Sequence, residues 1–89
     1  MKSLTPQQIV GGLNRHESTA FDRVYKQYFP YVAALARRLT NNSIYAEDIA
    51  QDSFVRLHEQ TGRFGNLEKI RHYLHNTTLN NCADYIRHQ

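Results

Sequence analysis

The chain has 89 residues, with 11 Lys and Arg, 8 Asp and Glu and 5 His, for a formal charge of +3 near neutrality. A composition of 40% apolar and 21% charged residues is that of one folded globular domain, too apolar and too aromatic for a disordered tail. No apolar run approaches the roughly 20 residues a membrane span needs, and the polar N-terminus does not read as a signal peptide, so no membrane insertion is expected. The single cysteine, Cys82, excludes an internal disulfide and a Cys-based zinc site and points to a reducing cytoplasm. A chain this short also leaves little room for a large buried catalytic pocket.

In chain order the sequence predicts four helices and no strand. The first, over 5–14, opens on Thr5 as N-cap and Pro6 at the first helical position, where a missing N–H costs nothing. It should stop near Gly11-Gly12 or run weakly to Asn14, because each glycine costs roughly 1 kcal/mol. The second, over 18–39, carries one apolar stripe through Phe21, Val24, Tyr25, Tyr28, Phe29, Val32, Leu35, Ala36 and Leu39. Pro30 interrupts the stripe without shifting its phase, which predicts a kink rather than a stop.

Asn41-Asn42-Ser43 is a turn with a ready N-cap, and the third helix follows over 43–60. Its buried face is Ala46, Ile49, Ala50, Ser53, Phe54 and Leu57, while Asp48, Gln51, Asp52 and Val55 share another face. A glycine-bearing loop leads to the fourth helix, over 67–88, with Ile70, Tyr73, Leu74, Thr77, Cys82, Tyr85 and Ile86 as inward candidates. Its middle holds several asparagines and few strong helix formers, so packing or function must compensate for weak propensity. The expected architecture is all-α: a compact bundle of three long helices with a short N-terminal one.

Charge falls in blocks. Up to Thr40, Lys2, Arg15, Arg23, Lys26, Arg37 and Arg38 outweigh Glu17 and Asp22; over 41–60, Glu47, Asp48, Asp52 and Glu59 outweigh Arg56; beyond, Arg63, Lys69, Arg71 and Arg87 outweigh Glu68 and Asp84. An acidic segment between two basic ones suits two partners of opposite charge, or a solvated helix face.

Catalytic signatures are missing: there is no Gly-rich phosphate loop, no nucleophile elbow and no base placed beside Cys82. His72-x-x-His75 with Glu68 is the best metal candidate, but no further ligand is evident and Lys69 and Arg71 would repel a cation, so neither metal nor cofactor is expected. Asp48, Gln51 and Asp52 have few compensating bases within a turn and would suit a basic helix of another protein. Arg63, Phe64, Lys69, Arg71, Asn76, Asn80 and Arg87 combine cations, an aromatic ring and amides, the mixture that holds single-stranded nucleic acid. Tyr73 reads as core, and Phe64 either contacts an extruded base or plugs the helix junction.

Three stretches then resemble region 2 of bacterial sigma factors of the extracytoplasmic-function (ECF) group. They are Ala20-Phe21 through Tyr28-Phe29-Pro30 with Ala36-Arg37-Arg38-Leu39; the string Ala46-Glu47-Asp48-Ile49-Ala50-Gln51-Asp52-Ser53-Phe54-Val55-Arg56-Leu57; and Tyr73-Leu74 through Asn80, Asp84, Tyr85 and Arg87. The resemblance implies a non-enzymatic, nucleoid-associated domain of sigma region 2 type. Its acidic helix would dock on the clamp helices of the RNA polymerase β′ subunit through Asp48, Gln51 and Asp52, with Val55 on the same face. Its loop, about 63–68, and last helix would hold the non-template strand of the promoter −10 element as single-stranded DNA. A flipped base would meet Asn76 and Asn80.

An anti-sigma factor is a further partner that the family commonly has. Two departures stand out: Tyr73-Leu74 replaces the usual Trp-Leu, and Asn76 and Leu79 replace common arginines. Sigma factors of this group usually carry a second, −35-binding domain, absent from this sequence, so the chain is expected to be the N-terminal part of a longer protein. The alternatives are a helical protein-interaction module without sequence-specific DNA binding and a helix-turn-helix for duplex DNA, whose short basic recognition helix is not evident.

Overall fold

The computed structural model describes residues 4–60 and 64–88. It contains α1 (Pro6–Asn14), α2 (Ser18–Thr40), α3 (Ser43–Glu59) and α4 (Leu67–Arg87), and no strand among the described residues. Each end differs from the sequence expectation by at most one residue, and capping side chains mark the starts of α1, α3 and α4. Thr5 and Gln8 close a capping box on α1. Asn42 accepts from the backbone N–H groups of Ile44 and Tyr45 at 3.1 Å, and Asn66 accepts from that of Lys69 at 2.9 Å. Asn41 ends α2 in the left-handed region at φ 54°, which asparagine tolerates better than most residues.

α1 does not stop at its glycines, and the reason is tertiary. A Cβ on Gly12 would lie 2.7 Å from the Ala20 Cβ, so glycine is what lets α1 come this close to α2. α2 likewise passes through Pro30, which sits on its exposed side.

The four helices meet around Phe54, with Leu13 from α1, Val24 and Val32 from α2, Leu57 from α3 and Ile70 and Leu74 from α4 all buried. Tyr25, Phe29 and Phe21 of α2 surround the Phe54 ring at centroid distances of 4.9, 6.1 and 6.4 Å. A smaller cluster of Ala36, Ala46, Ile49 and Cys82 closes the far end. Burial there raises the pKa of the Cys82 thiol, because the thiolate would be poorly solvated.

The residues of α4 that are fully buried, Ile70, Leu74, Thr78 and Cys82, follow each other at intervals of four. Thr78 therefore lies inside where Thr77 was expected, and Thr77 is only partly covered. Ser53 of α3 faces Thr78 with the hydroxyl oxygens 3.2 Å apart. The Thr78 hydroxyl donates to the Leu74 carbonyl at 2.7 Å, and the Ser53 oxygen accepts from Asn81. Two polar groups thus cross the core without an orphaned atom. Ile86 and Leu39, also expected inside, are 53% and 40% exposed. Both lie near helix ends, where the stripe continues but little neighbouring structure remains to cover it.

Phe54→Ala removes the ring that joins the helices and is expected to cost roughly 3–5 kcal/mol, a large share of the stability of a domain this small, as measured by urea unfolding.

Candidate nucleic-acid interface and acidic ridge

The first half of α4 and the residues leading into it form an open groove of about 870 Å³, lined by Phe64, Asn66, Glu68, Lys69, Arg71, His72, Tyr73, Asn76, Thr77 and Asn80. Its aromatic wall is fixed. Tyr73 packs against the main core and donates from its hydroxyl to the Arg56 carbonyl at 3.3 Å, while Phe64 meets it edge-to-face at 5.6 Å. Phe64 thus fills the helix junction and faces the groove together, so the two expectations for it are compatible.

Asn76 and Asn80 stand one turn apart on the exposed side of α4, and neither amide has a hydrogen-bond partner among the described residues. Each offers one carbonyl acceptor and two N–H donors, which suits the edge of an unpaired base. Lys69 has no ion-pair partner among the described residues, and Arg71 makes only a loose contact with Glu68 at 3.5 Å between exposed side chains. Both cations are available to an anionic backbone.

Not every expected residue joins this surface. Arg63 lies outside the described residues. Arg87 is about 10 Å farther along the helix than Asn80, outside the groove, and pairs with Asp84. Sequence reasoning missed His72 and Thr77 as lining residues, although both fall on the face already marked by Lys69, Asn76 and Asn80. His75 turns the other way, with its Nδ1 2.6 Å from the Tyr31 hydroxyl, so the two histidines do not converge. Among the described residues no group of three His, Cys, Asp or Glu could hold a metal ion.

On α3, Asp48, Gln51, Asp52 and Val55 are all exposed. They form a ridge whose charge is less uniform than the sequence suggests. Arg56 Nε lies 2.8 Å from Asp52 Oδ2, and Asn81 of α4 donates to the same oxygen at 3.0 Å. The Asp52 hydrogen bond and charge raise the Arg56 pKa. Asp52 is thus compensated within one turn, contrary to the expectation of few nearby bases, and Asp48 is the more open carboxylate. Between α3 and α4 lies a hollow of about 260 Å³ lined by Asp48, Ile49, Asp52, Asn81 and Asp84. The α4 contribution has no signal in the periodicity of α3 alone.

Residues 24–89 match the family described as Sigma-70 region 2. Over 68 residues the chain is 29% identical to the ECF RNA polymerase sigma factor SigM of Mycobacterium tuberculosis, a match covering 76% of this chain and 35% of that protein. Over 80 residues it is 24% identical to the RNA polymerase sigma-H factor of Pseudomonas aeruginosa, covering 90% of this chain and 42% of that protein. No solved structure gives a significant match. The chain belongs to the Sigma-70 region 2 family, and its relatives include a member of the ECF group that its motifs resemble. It spans less than half the length of the curated relatives it matches.

The asparagines of α4 differ in what they touch, and stability should follow. Asn76→Ala and Asn80→Ala are expected to raise stability by about 0.5 kcal/mol each through better helix propensity. Asn81→Ala, which loses its bonds to Asp52 and Ser53, is expected to lower it by about 1 kcal/mol. Thermal melts of the three variants check the order.

Proposed function

We propose that this domain acts in transcription initiation without catalysing a reaction itself. It joins RNA polymerase core through the ridge of Asp48, Gln51, Asp52 and Val55, seated on the β′ clamp helices, and it holds the non-template strand of the −10 element in the α4 groove. The observation that carries this reading is the pair of amides, Asn76 and Asn80, that have no hydrogen-bond partner among the described residues and stand beside the Phe64–Tyr73 wall and two available cations. Lys69 and Arg71 hold phosphates, Phe64 offers a face or edge to a displaced base, and the amides read its polar edge. Extrusion of a base costs a few kcal/mol, and one stacking contact recovers roughly 1–3 kcal/mol of it, so the amides must supply the remainder and with it the selectivity. Work on DNA alongside the polymerase sets the domain in the cytoplasm at the nucleoid, and an anti-sigma factor that covers either surface would silence it.

The ridge is tested by charge reversal. Asp48→Arg together with Asp52→Arg is expected to abolish co-purification with bacterial RNA polymerase core while leaving the helical circular dichroism unchanged. Undiminished binding would remove the ridge from the reading and favour an interaction module of another kind.

The groove is tested by selection from a randomised single-stranded DNA pool. The wild-type chain is expected to enrich one sequence class, and Asn80→Ala to flatten that preference at one base without lowering the melting temperature. Affinity for the enriched strand should fall as salt rises, with a log–log slope of about −1.4 from Lys69 and Arg71 alone. Equal retention of all strands would eliminate sequence reading.

A further inference from the structure

α1 lies outside the region matched by the family, which begins at Val24, yet its last residue touches the backbone of a residue that lines the groove. At its last residue the Asn14 side chain is paired with the backbone of Phe64, fifty positions away: Asn14 Nδ2 donates to the Phe64 carbonyl at 2.9 Å, and the Phe64 N–H donates to Asn14 Oδ1 at 3.4 Å. A carboxamide presents a donor and an acceptor side by side, as a peptide group does, so one side chain serves both backbone groups of one residue.

This pairing is placed by the fold rather than by chance contact. Leu13, the preceding residue, is fully buried, and Gly12 seats α1 against Ala20. The turn after Asn14 is held by the Glu17 N–H, which donates to the Gly12 carbonyl at 2.9 Å, and by His16 in the left-handed region at φ 61°. The end of α1 is therefore a rigid mount. Phe64, by contrast, precedes α4 by three residues and its backbone takes no part in the helix ladder that starts at Asn66 and Leu67.

Resting on the reading above, we propose that Asn14 is a positioning residue for single-stranded DNA: it fixes the Phe64 backbone so that the ring stands edge-on to Tyr73 at the mouth of the groove. α1 is then a working part of the DNA-reading surface. Without the amide, Phe64 keeps its apolar contacts but loses its register against the base that Asn76 and Asn80 read.

The test uses the full chain and the single strand most enriched by the wild-type chain from a randomised pool. Asn14→Ala is expected to weaken binding of that strand roughly fivefold, the order of one or two lost hydrogen bonds, and to flatten the enriched sequence. Asn14→Asp keeps the size and the acceptor but sets a carboxylate oxygen against the Phe64 carbonyl where the donor stood, and should weaken binding at least as much as Asn14→Ala. In a Phe64→Ala background, Asn14→Ala should cause no further loss, because Asn14 acts through Phe64. An equal additional loss in that background, or unchanged affinity and selectivity in both Asn14 variants, would overturn the proposal. Amide hydrogen exchange at Phe64 gives a readout independent of DNA: it should quicken in Asn14→Ala, and an unchanged rate would also overturn the proposal. A wild-type chain that enriches no strand overturns the DNA reading itself, and with it the role in DNA binding, while the exchange rate still decides whether Asn14 holds Phe64.

Discussion

The fully buried residues of α4 form one narrow row, Ile70, Leu74, Thr78 and Cys82, and much of the rest of the structure follows from that economy. Residues four apart in an α-helix advance by about 400°, so the row drifts by about 120° between its first and last member. The free face rotates with it. Near the start of the helix that face carries Lys69, His72, Asn76 and Asn80 and floors the groove; near the end Asn81 and Asp84 turn toward α3 and complete the acidic hollow. One helix thereby contributes to two surfaces of different chemistry without a break in its backbone.

The polar groups between α3 and α4 make this arrangement specific. Ser53 and Thr78 meet inside the bundle, and Asn81 links Ser53 to Asp52 at the surface. A slide of α4 along α3 would break the Ser53–Thr78 contact and the Asn81 bonds, leaving each hydroxyl only its bond to the carbonyl four residues back in its own helix, whereas apolar contacts alone would tolerate the slide. The register that brings Tyr73 to the Arg56 carbonyl is the same register that pairs Ser53 with Thr78.

What could be read from the residues is local. The starts of α1 and α3 were legible because Thr5 and the Asn41-Asn42-Ser43 turn mark them, and the all-α class because the stripe of α2 keeps phase across Pro30, whereas the Asn66 cap of α4 stood in what read only as a glycine-bearing loop. The groove was legible in outline, since Lys69, Asn76 and Asn80 share a face. The choice of Thr78 over Thr77 was missed: Thr77 follows Tyr73 by four and Thr78 follows Leu74 by four, and only Cys82, a further four on, favours Thr78. The neutralisation of Asp52 was legible in half: Arg56 stands four residues on, but Asn81 reaches in from another helix. The Asn14–Phe64 pair lies beyond any local pattern, since fifty residues separate its members and the packing of α1 and Phe64 on the same core brings them together.

The placement of Cys82 has a practical side. The chain's one sulfhydryl is sealed beneath Tyr85, and desolvation keeps it in its unreactive protonated form. Two fluorophores attached by maleimide chemistry to cysteines introduced on exposed positions of the groove and the ridge would then report from those sites alone, so the distance between them could be followed without first removing the native thiol.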